Sequence, residues 1–360
     1  MKLSFGHVAL ACLVVGAGGV GMGQVAVESV VGPAVKTFGG SEVRSVGLGS
    51  CLRENRPAPI MRTIAEAKPD VFVFLGDNIY GDTEDAAVFR RKYQRLMDVP
   101  GFRQLREGSS VLAVWDDHDF GKNDAGVEFA GKTLAKDLFL KFWGEAKESA
   151  RWTVGGNYGS VVYGREGRRV QMILLDTRWS RSALERAAEP GANGPYTPTK
   201  DQSKTILGAE QWAWLEAALA KPAELRVICS SIQVLANEHN HEKWGNFPHE
   251  RQRLLDLVGK TSGAVLFVSG DRHTGELSRL DLPGGRRVYD LTASALNQGS
   301  GFPKDEPNAL RRGSVVTEPH FGWLDVEWET GTVRMQLRRE SGSVVQETSE
   351  RMGRMGGKEG

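Results

Sequence analysis

Five consecutive apolar residues, Val71-Phe-Val-Phe-Leu75, run directly into Gly76-Asp77. A strand with no alternation of apolar and polar residues is buried on both faces, so its sheet must be covered on both sides. That requirement points to an α/β architecture, and the rest of the chain supplies the covering layers. Strands are predicted at 43–48, 111–114, 160–163, 170–175, 225–229 and 264–269, with helices at 57–67, 86–97, 133–143, 207–220 and 248–258. Beyond residue 270 the strands come in succession, at 277–282, 286–291, 323–328 and 333–339, which suggests a second, antiparallel-edged sheet. Two long stretches, 180–206 and 298–319, carry no regular pattern and read as functional lids or disordered inserts.

With 360 residues the chain can bury a core without disulfide or zinc staples. Its 40% hydrophobic and 25% charged residues exclude a mostly disordered chain, a collagen and a coiled coil. The balance of 46 basic against 45 acidic residues argues against a general nucleic-acid binder, leaving nucleic acid only as a source of phosphodiester substrate. At the amino terminus, Lys2 precedes an uncharged stretch to Gln24, with an apolar heart at 8–17 and small residues at Gly21 and Gly23. This predicts a signal peptide over 1–23, a spacer at 24–41, one domain over 42–342 and a tail at 343–360. The apolar run is short and glycine-rich for a membrane span, so the mature protein is expected off the membrane, secreted or periplasmic, and monomeric. Cleavage removes one Lys and no acid, which leaves 45 basic and 45 acidic residues.

In open α/β sheets, ligands collect beyond the carboxyl ends of the strands. Gly49-Ser50-Cys51 follows strand 43–48, and Gly76-Asp77-Asn-Ile-Tyr80-Gly-Asp82 follows strand 71–75. Trp115-Asp-Asp-His-Asp119, with Asn123 beyond it, follows strand 111–114. Asp176-Thr-Arg178, Ser230-Ser231 and Gly270-Asp-Arg-His273 end the strands at 170–175, 225–229 and 264–269. Carboxylates crowded at one sheet edge repel one another and are driven to take up protons, a cost that bound cations remove. The mixture of Asp, His, Cys and Tyr suits a harder and a softer ion together. Two such ions about 3.5–4 Å apart clamp the attacking and leaving oxygens of an in-line phosphoryl displacement, which points to hydrolysis of a phosphate ester.

Taken in order, Gly49-Ser-Cys51, Gly76-Asp77-Asn-Ile-Tyr80, Trp115-Asp-Asp-His-Asp119 with Asn123, Asp176-Thr-Arg178 and Gly270-Asp-Arg-His273 resemble the PhoD-like alkaline phosphatase/phosphodiesterase family. That family belongs to the calcineurin-like metallophosphoesterases. The resemblance implies a four-layer α/β/β/α metallophosphoesterase sandwich with two mixed sheets and metals at the sheet edges. It implies Fe3+ and Ca2+ as cofactors, with other divalent metals left open. It makes Asp77 the carboxylate between the metals, Cys51 and Tyr80 ligands of the ferric ion, and Asp117, Asp271 and His273 further metal ligands. His118 faces the phosphate in this pattern, and Asn123 and Arg178 hold its oxygens, a guanidinium offering a fork matched to them. The first block of the wider superfamily is an Asp-x-His pair. Ser50-Cys51 replaces it here, which speaks against an ordinary di-zinc or di-manganese site.

Several of these residues have plainer readings. Cys51 could pair with Cys229 in an oxidising compartment, although Cys51 lies beside the cluster and Cys229 inside an apolar strand, which favours a thiolate ligand. Asp176 and Arg178 could simply pair with each other. Glu238, His239, His241 and Glu242 resemble a metal tract but read better as a solvated loop, as do Arg181, Arg186 and Lys200 in the first long insert. Trp244 could line the pocket and touch substrate. The expected function is an exported metal-dependent phosphoesterase that hydrolyses small phosphate mono- or diesters through a metal-bound hydroxide. The alternatives are a nucleotidase or purple-acid-type phosphatase of the same superfamily, and a non-catalytic secreted metal-binding module. Such a module would have no use for His118 and Arg178 aimed at one anion.

Overall fold

The computed structural model describes residues 42–191, 194–299 and 306–357. The expected signal peptide and spacer therefore lie outside the described residues, as do 300–305 of the second long insert and 358–360 of the tail. One sheet holds β1 (Ser45–Gly49), β2 (Val71–Leu75), β3 (Ser110–Val114), β13 (His320–Glu327), β14 (Thr332–Arg339) and β15 (Val344–Arg351), in the order β15-β14-β13-β1-β2-β3. A second holds β4 (Gly159–Tyr163), β5 (Val170–Leu174), β8 (Leu225–Cys229), β9 (Ala264–Ser269), β10 (Gly275–Asp281), β11 (Arg287–Ala293) and β12 (Arg311–Val316). Its order is β12-β10-β11-β9-β8-β5-β4, and β6 (Glu185–Gly191) with β7 (Gly194–Thr197) forms a separate hairpin.

The strand β2 shows why the layers stack. All five of its residues are buried. Phe72 and Phe74 point outward, packing with Ile60, Phe89, Phe102 and Phe142 of the helices α1 (Ile60–Ala67), α2 (Ala86–Asp98), α3 (Phe102–Gly108) and, after the short α4 (Asp117–Phe120), α5 (Lys132–Trp143). Val71, Val73 and Leu75 point inward and meet Met172, Val227 and Leu266 of the second sheet. The outer face of that sheet buries Ile173, Ile228 and Phe267 against Trp212 of α6 (Gly208–Leu219) and Leu254 of α7 (Pro248–Lys260). Each such side chain contributes about 1.5–3 kcal/mol on burial, so neither sheet can dispense with either neighbour. The result is the expected four-layer α/β/β/α sandwich of two mixed sheets.

The parallel strands β1, β2 and β3 present their carboxyl ends along one edge of the first sheet. The parallel set β5, β8, β9 and β11 does the same in the second. Two glycines let these edges meet. A Cβ on Gly76, whose φ is +99°, would lie 2.5 Å from the Asp116 Cβ of its own sheet edge and 3.2 Å from the Ser231 Cβ of the other. One on Gly270 would lie 2.6 Å from the Ser50 Oγ across the seam. Only glycine fits such an approach.

The structure departs from expectation mainly at edges. The first insert contains the β6–β7 hairpin and the second contains β12, where loops are expected. Residues Val344–Arg351, expected as tail, form the edge strand β15, and Met355 behind them is buried. These edge strands are largely polar and owe their form to backbone pairing with a neighbour, not to an apolar pattern of their own. The short α3 is also absent from the sequence reading. Among the described residues, no helix is long and apolar enough to cross a membrane.

Candidate metal centre

Three sets of ligand atoms gather where the two sheet edges meet: Cys51, Asp77 and His273; Asp77, Asp117 and His118; and Asp116, Asp117 and Asp271. Within each set the atoms lie within 4.8 Å of one another. Asp77 belongs to two sets and Asp117 to two, so the groups form one continuous array. The Cys51 Sγ lies 3.5 Å from Asp77 Oδ2 and 3.1 Å from the Ser294 hydroxyl. Tyr80 joins through its hydroxyl, 3.1 Å from the His273 Nε2, and its ring lies 4.2 Å from that of His118. His118 is held by Asp82, whose carboxylate is 2.7 Å from the ring Nδ1.

Backbone conformation marks the same residues. Cys51, Asp77, Asp271 and His273 all have φ between 51° and 68°, in the left-handed region that side chains other than glycine rarely adopt. Asp82 and Asp124, which hold His118 and the Asp117 carboxylate, share it. Each such residue costs on the order of 1 kcal/mol or more, and strain of this kind concentrates at working sites.

Electrostatics gives the array its character. Burial, reinforced by Cys51 and the neighbouring aspartates, raises the Asp77 pKa well above the usual carboxylate range. Burial with Asp116 and Asp117 does the same to Asp271. Asp116 is pushed up to about 7, chiefly by burial, against the opposing pull of Arg178. The Cys51 thiol is driven up to about 12 by burial, despite hydrogen bonds from Ser294 and Ser50. Asp117 is the exception. Burial opposes its charge, but His118, Arg178 and the Asp124 amide together hold it below the usual value. For His118, burial disfavours the cation while Asp117 and Asp82 raise its pKa above the usual value. A cation inserted among these groups would reverse the cost of ionising Asp77, Asp271 and Cys51. The Asp77 Oδ1 and Asp116 Oδ2 atoms are buried without a hydrogen-bond partner, so the donor set fits metal ions.

The remaining expected residues fall elsewhere. Arg178 is fully buried, its Nε donating to Asp116 Oδ1 at 2.6 Å and its Nη1 pairing with Glu242 at 2.7 Å. Its fork is taken by carboxylates and is not turned to an open site. Only its backbone N–H reaches Asp176. Trp244 is also fully buried, edge-on to Trp212 at 6.3 Å with its indole N–H on the Ser230 hydroxyl, so it is core and not pocket lining. Asn123 is exposed in the turn after α4. The tract 238–242 is neither a metal site nor fully solvated, because Glu242 is buried between Arg178 and Arg181 and His239 is buried on Gln233. Cys51 and Cys229 are free thiols. Two contributors lie outside every sequence motif, Ser294 on Cys51 and Arg53, whose guanidinium lies 4.0 Å above the Tyr80 ring. Asp116, within the Trp115–Asp119 motif but given no role there, joins the array.

The two facing sheets and the array between their edges define a metallophosphoesterase-type fold. Residues 157–344 match the PhoD-like phosphatase family. The chain belongs to that family and is a phosphoric ester hydrolase. A solved structure of PhoD, 17% identical, superposes over 89% of this chain and 72% of its own length with a TM-score of 0.70. A dimetal phosphatase from Danio rerio, 15% identical, covers 86% of this chain and 99% of its own, with a TM-score of 0.56. GAP50, the anchor in the inner membrane complex of Plasmodium, is 12% identical over 86% of this chain and 89% of its own, also with a TM-score of 0.56. No curated protein sequence matches the chain.

Proposed function

We propose that this protein is an exported, metal-dependent phosphoesterase that hydrolyses phosphate mono- or diesters with Fe3+ and Ca2+. The observation that carries the metal dependence is the array itself, with Asp77 and Asp117 each shared between ligand sets. Asp77 would hold the two ions at a fixed separation, Cys51 and Tyr80 would bind the ferric ion, and Asp117, Asp271 and His273 would complete the ligands. When bound, the ions neutralise charge on phosphoryl oxygens and lower the pKa of water at the site. His118, whose pKa is raised by Asp117 and Asp82 against the opposing effect of burial, is the residue suited to stabilise the phosphoryl group or give a proton to the leaving oxygen. Asn123, exposed beside this array, is the remaining candidate to hold phosphate oxygens. Export rests on the amino-terminal 23 residues and their single basic residue followed by an apolar run.

One fold serves both phosphatases and an anchor, so the reading needs a chemical test. Purified protein supplied with iron and calcium should turn over p-nitrophenyl phosphate or bis-p-nitrophenyl phosphate, and the preferred one sets the mono- or diester class. A tyrosinate and a thiolate on ferric iron should colour the protein through charge transfer, and Tyr80→Phe should shift or bleach that band. No turnover of either substrate would favour a non-catalytic binding module. A colourless protein fully active with zinc alone would overturn the iron–calcium assignment.

A further inference from the structure

The loop from Cys51 to Pro59 lines two places at once. Its first residues belong to the metal array, and Glu54 to Pro59 form one wall of a cleft of about 620 Å³ that α1 and α2 complete. Three arginines line this cleft: Arg56 from the loop, Arg62 from α1 and Arg95 from α2. Among the described residues, none of the three has a carboxylate within salt-bridge distance; Arg56 donates to the Gln298 Oε1 at 2.6 Å. The two acids of the cleft are already engaged. Glu54 is buried, accepts the Tyr80 N–H and lies 3.6 Å from the Lys92 Nζ, while Asp98 is held by Gln94 and Arg103. Pro57, Pro59, Val99 and Pro100 give the cleft an apolar floor.

Arg53 connects this cleft to the metal array. Its guanidinium sits over the ring of Tyr80, and its Nε donates to the same Gln298 Oε1 that Arg56 uses, at 3.1 Å. Two guanidinium groups thus stand side by side on one amide oxygen, with two more farther along. Like charges assembled beside acids that are already paired with other cations repel, and an anion bound among them removes that cost. Arginine forks match phosphoryl oxygens in geometry as well as charge.

We propose that this cleft is a subsite for a second phosphoryl group of the substrate, reached past Arg53 while the scissile phosphate lies at the metal array. The substrate class is then a phosphate ester whose alcohol portion carries another phosphoryl group, with an apolar or sugar-like spacer lying on the proline floor. This rests on the phosphoesterase reading and narrows its substrate.

The test uses the full-length, metal-loaded protein and non-hydrolysable probes. Calorimetry compares a series of α,ω-alkanediphosphonates of increasing length with the matching alkylphosphonates. At one spacer length the diphosphonate should bind about tenfold tighter than its partner, an advantage of about 1.4 kcal/mol. Because the arginines are solvent-exposed, that advantage should shrink as salt is added. Arg62→Gln combined with Arg95→Gln should erase it, leaving the two probes of that length equal. Both side chains are exposed on helix surfaces, so the double variant should fold, which a thermal melt checks; Arg56→Gln serves as a second variant. No preference at any length, or a preference that survives these substitutions, would overturn the proposal. Binding needs no turnover, so this ratio can fail while p-nitrophenyl phosphate is still hydrolysed, and the two failures are told apart.

Discussion

Arg178 shows how far a strand-end motif constrains a single side chain. The motif places Arg178 at the right sheet edge, but its direction is decided by partners far along the chain, Asp116 and Glu242. No local pattern announces them, because Glu242 sits in a stretch that reads as solvated loop. The gathering of Cys51, Asp77, Asp117, Asp271 and His273, in contrast, is legible, since each sits within two to four residues of a parallel strand end and backbone geometry alone brings such ends together. The burial of Arg178 has a measurable consequence. Removing one partner of a buried ion pair leaves an uncompensated charge, which costs about 3–5 kcal/mol. Arg178→Met should therefore lower the urea midpoint by a corresponding amount. A fully stable variant with only a raised KM would return Arg178 to the role of phosphate ligand.

At the scale of elements, the buried strands and the long helices are legible because their apolar residues must be covered, whereas β12, β15 and the β6–β7 hairpin follow from neighbours already in place. The hairpin docks close to the metal array. The Tyr196 hydroxyl donates to Asp124 Oδ2 at 2.6 Å, and the Asp124 amide donates to the Asp117 carboxylate at 2.7 Å. The Tyr196 N–H is in turn held by the Asn240 carbonyl at 2.9 Å. A hydrogen bond to a charged group contributes about 1.5–3 kcal/mol. Tyr196→Phe should loosen the hairpin, and hydrogen exchange at the Tyr196 and Asp124 amides should accelerate by roughly tenfold. Unchanged exchange at both amides would mean that the hairpin is held by its backbone contacts alone.

Across the whole molecule, His320 is a test of how firmly the two sheets are joined. It opens β13 in the first sheet, and its Nε2 accepts the N–H of Ser294, which follows β11 in the second. Burial lowers its pKa to about 4 against an ordinary value of 6.5, so the folded protein keeps the ring neutral. Between those values the unfolded chain takes up a proton that the folded chain refuses. The His320 contribution to stability should then fall by about 3 kcal/mol as pH drops from about 6.5 to about 4. The buried carboxyls Asp77, Asp116 and Asp271, whose pKa values are raised, act in the opposite sense over that range, so the effect is read as the difference between parent and variant. His320→Gln should flatten this part of the urea-midpoint profile, and an unchanged slope would assign the acid sensitivity to other groups. The left-handed backbone at four residues of the array carries a different implication. Asp77→Asn should end hydrolysis, yet asparagine accepts that conformation more readily and carries no charge to bury. In metal-free protein the inactive variant should melt several degrees above the parent, and an equal or lower melting temperature would show that the array is not a burden on the fold. Selection for durability alone would act against these four positions before any part of the core, because they cost stability that only a bound cation returns.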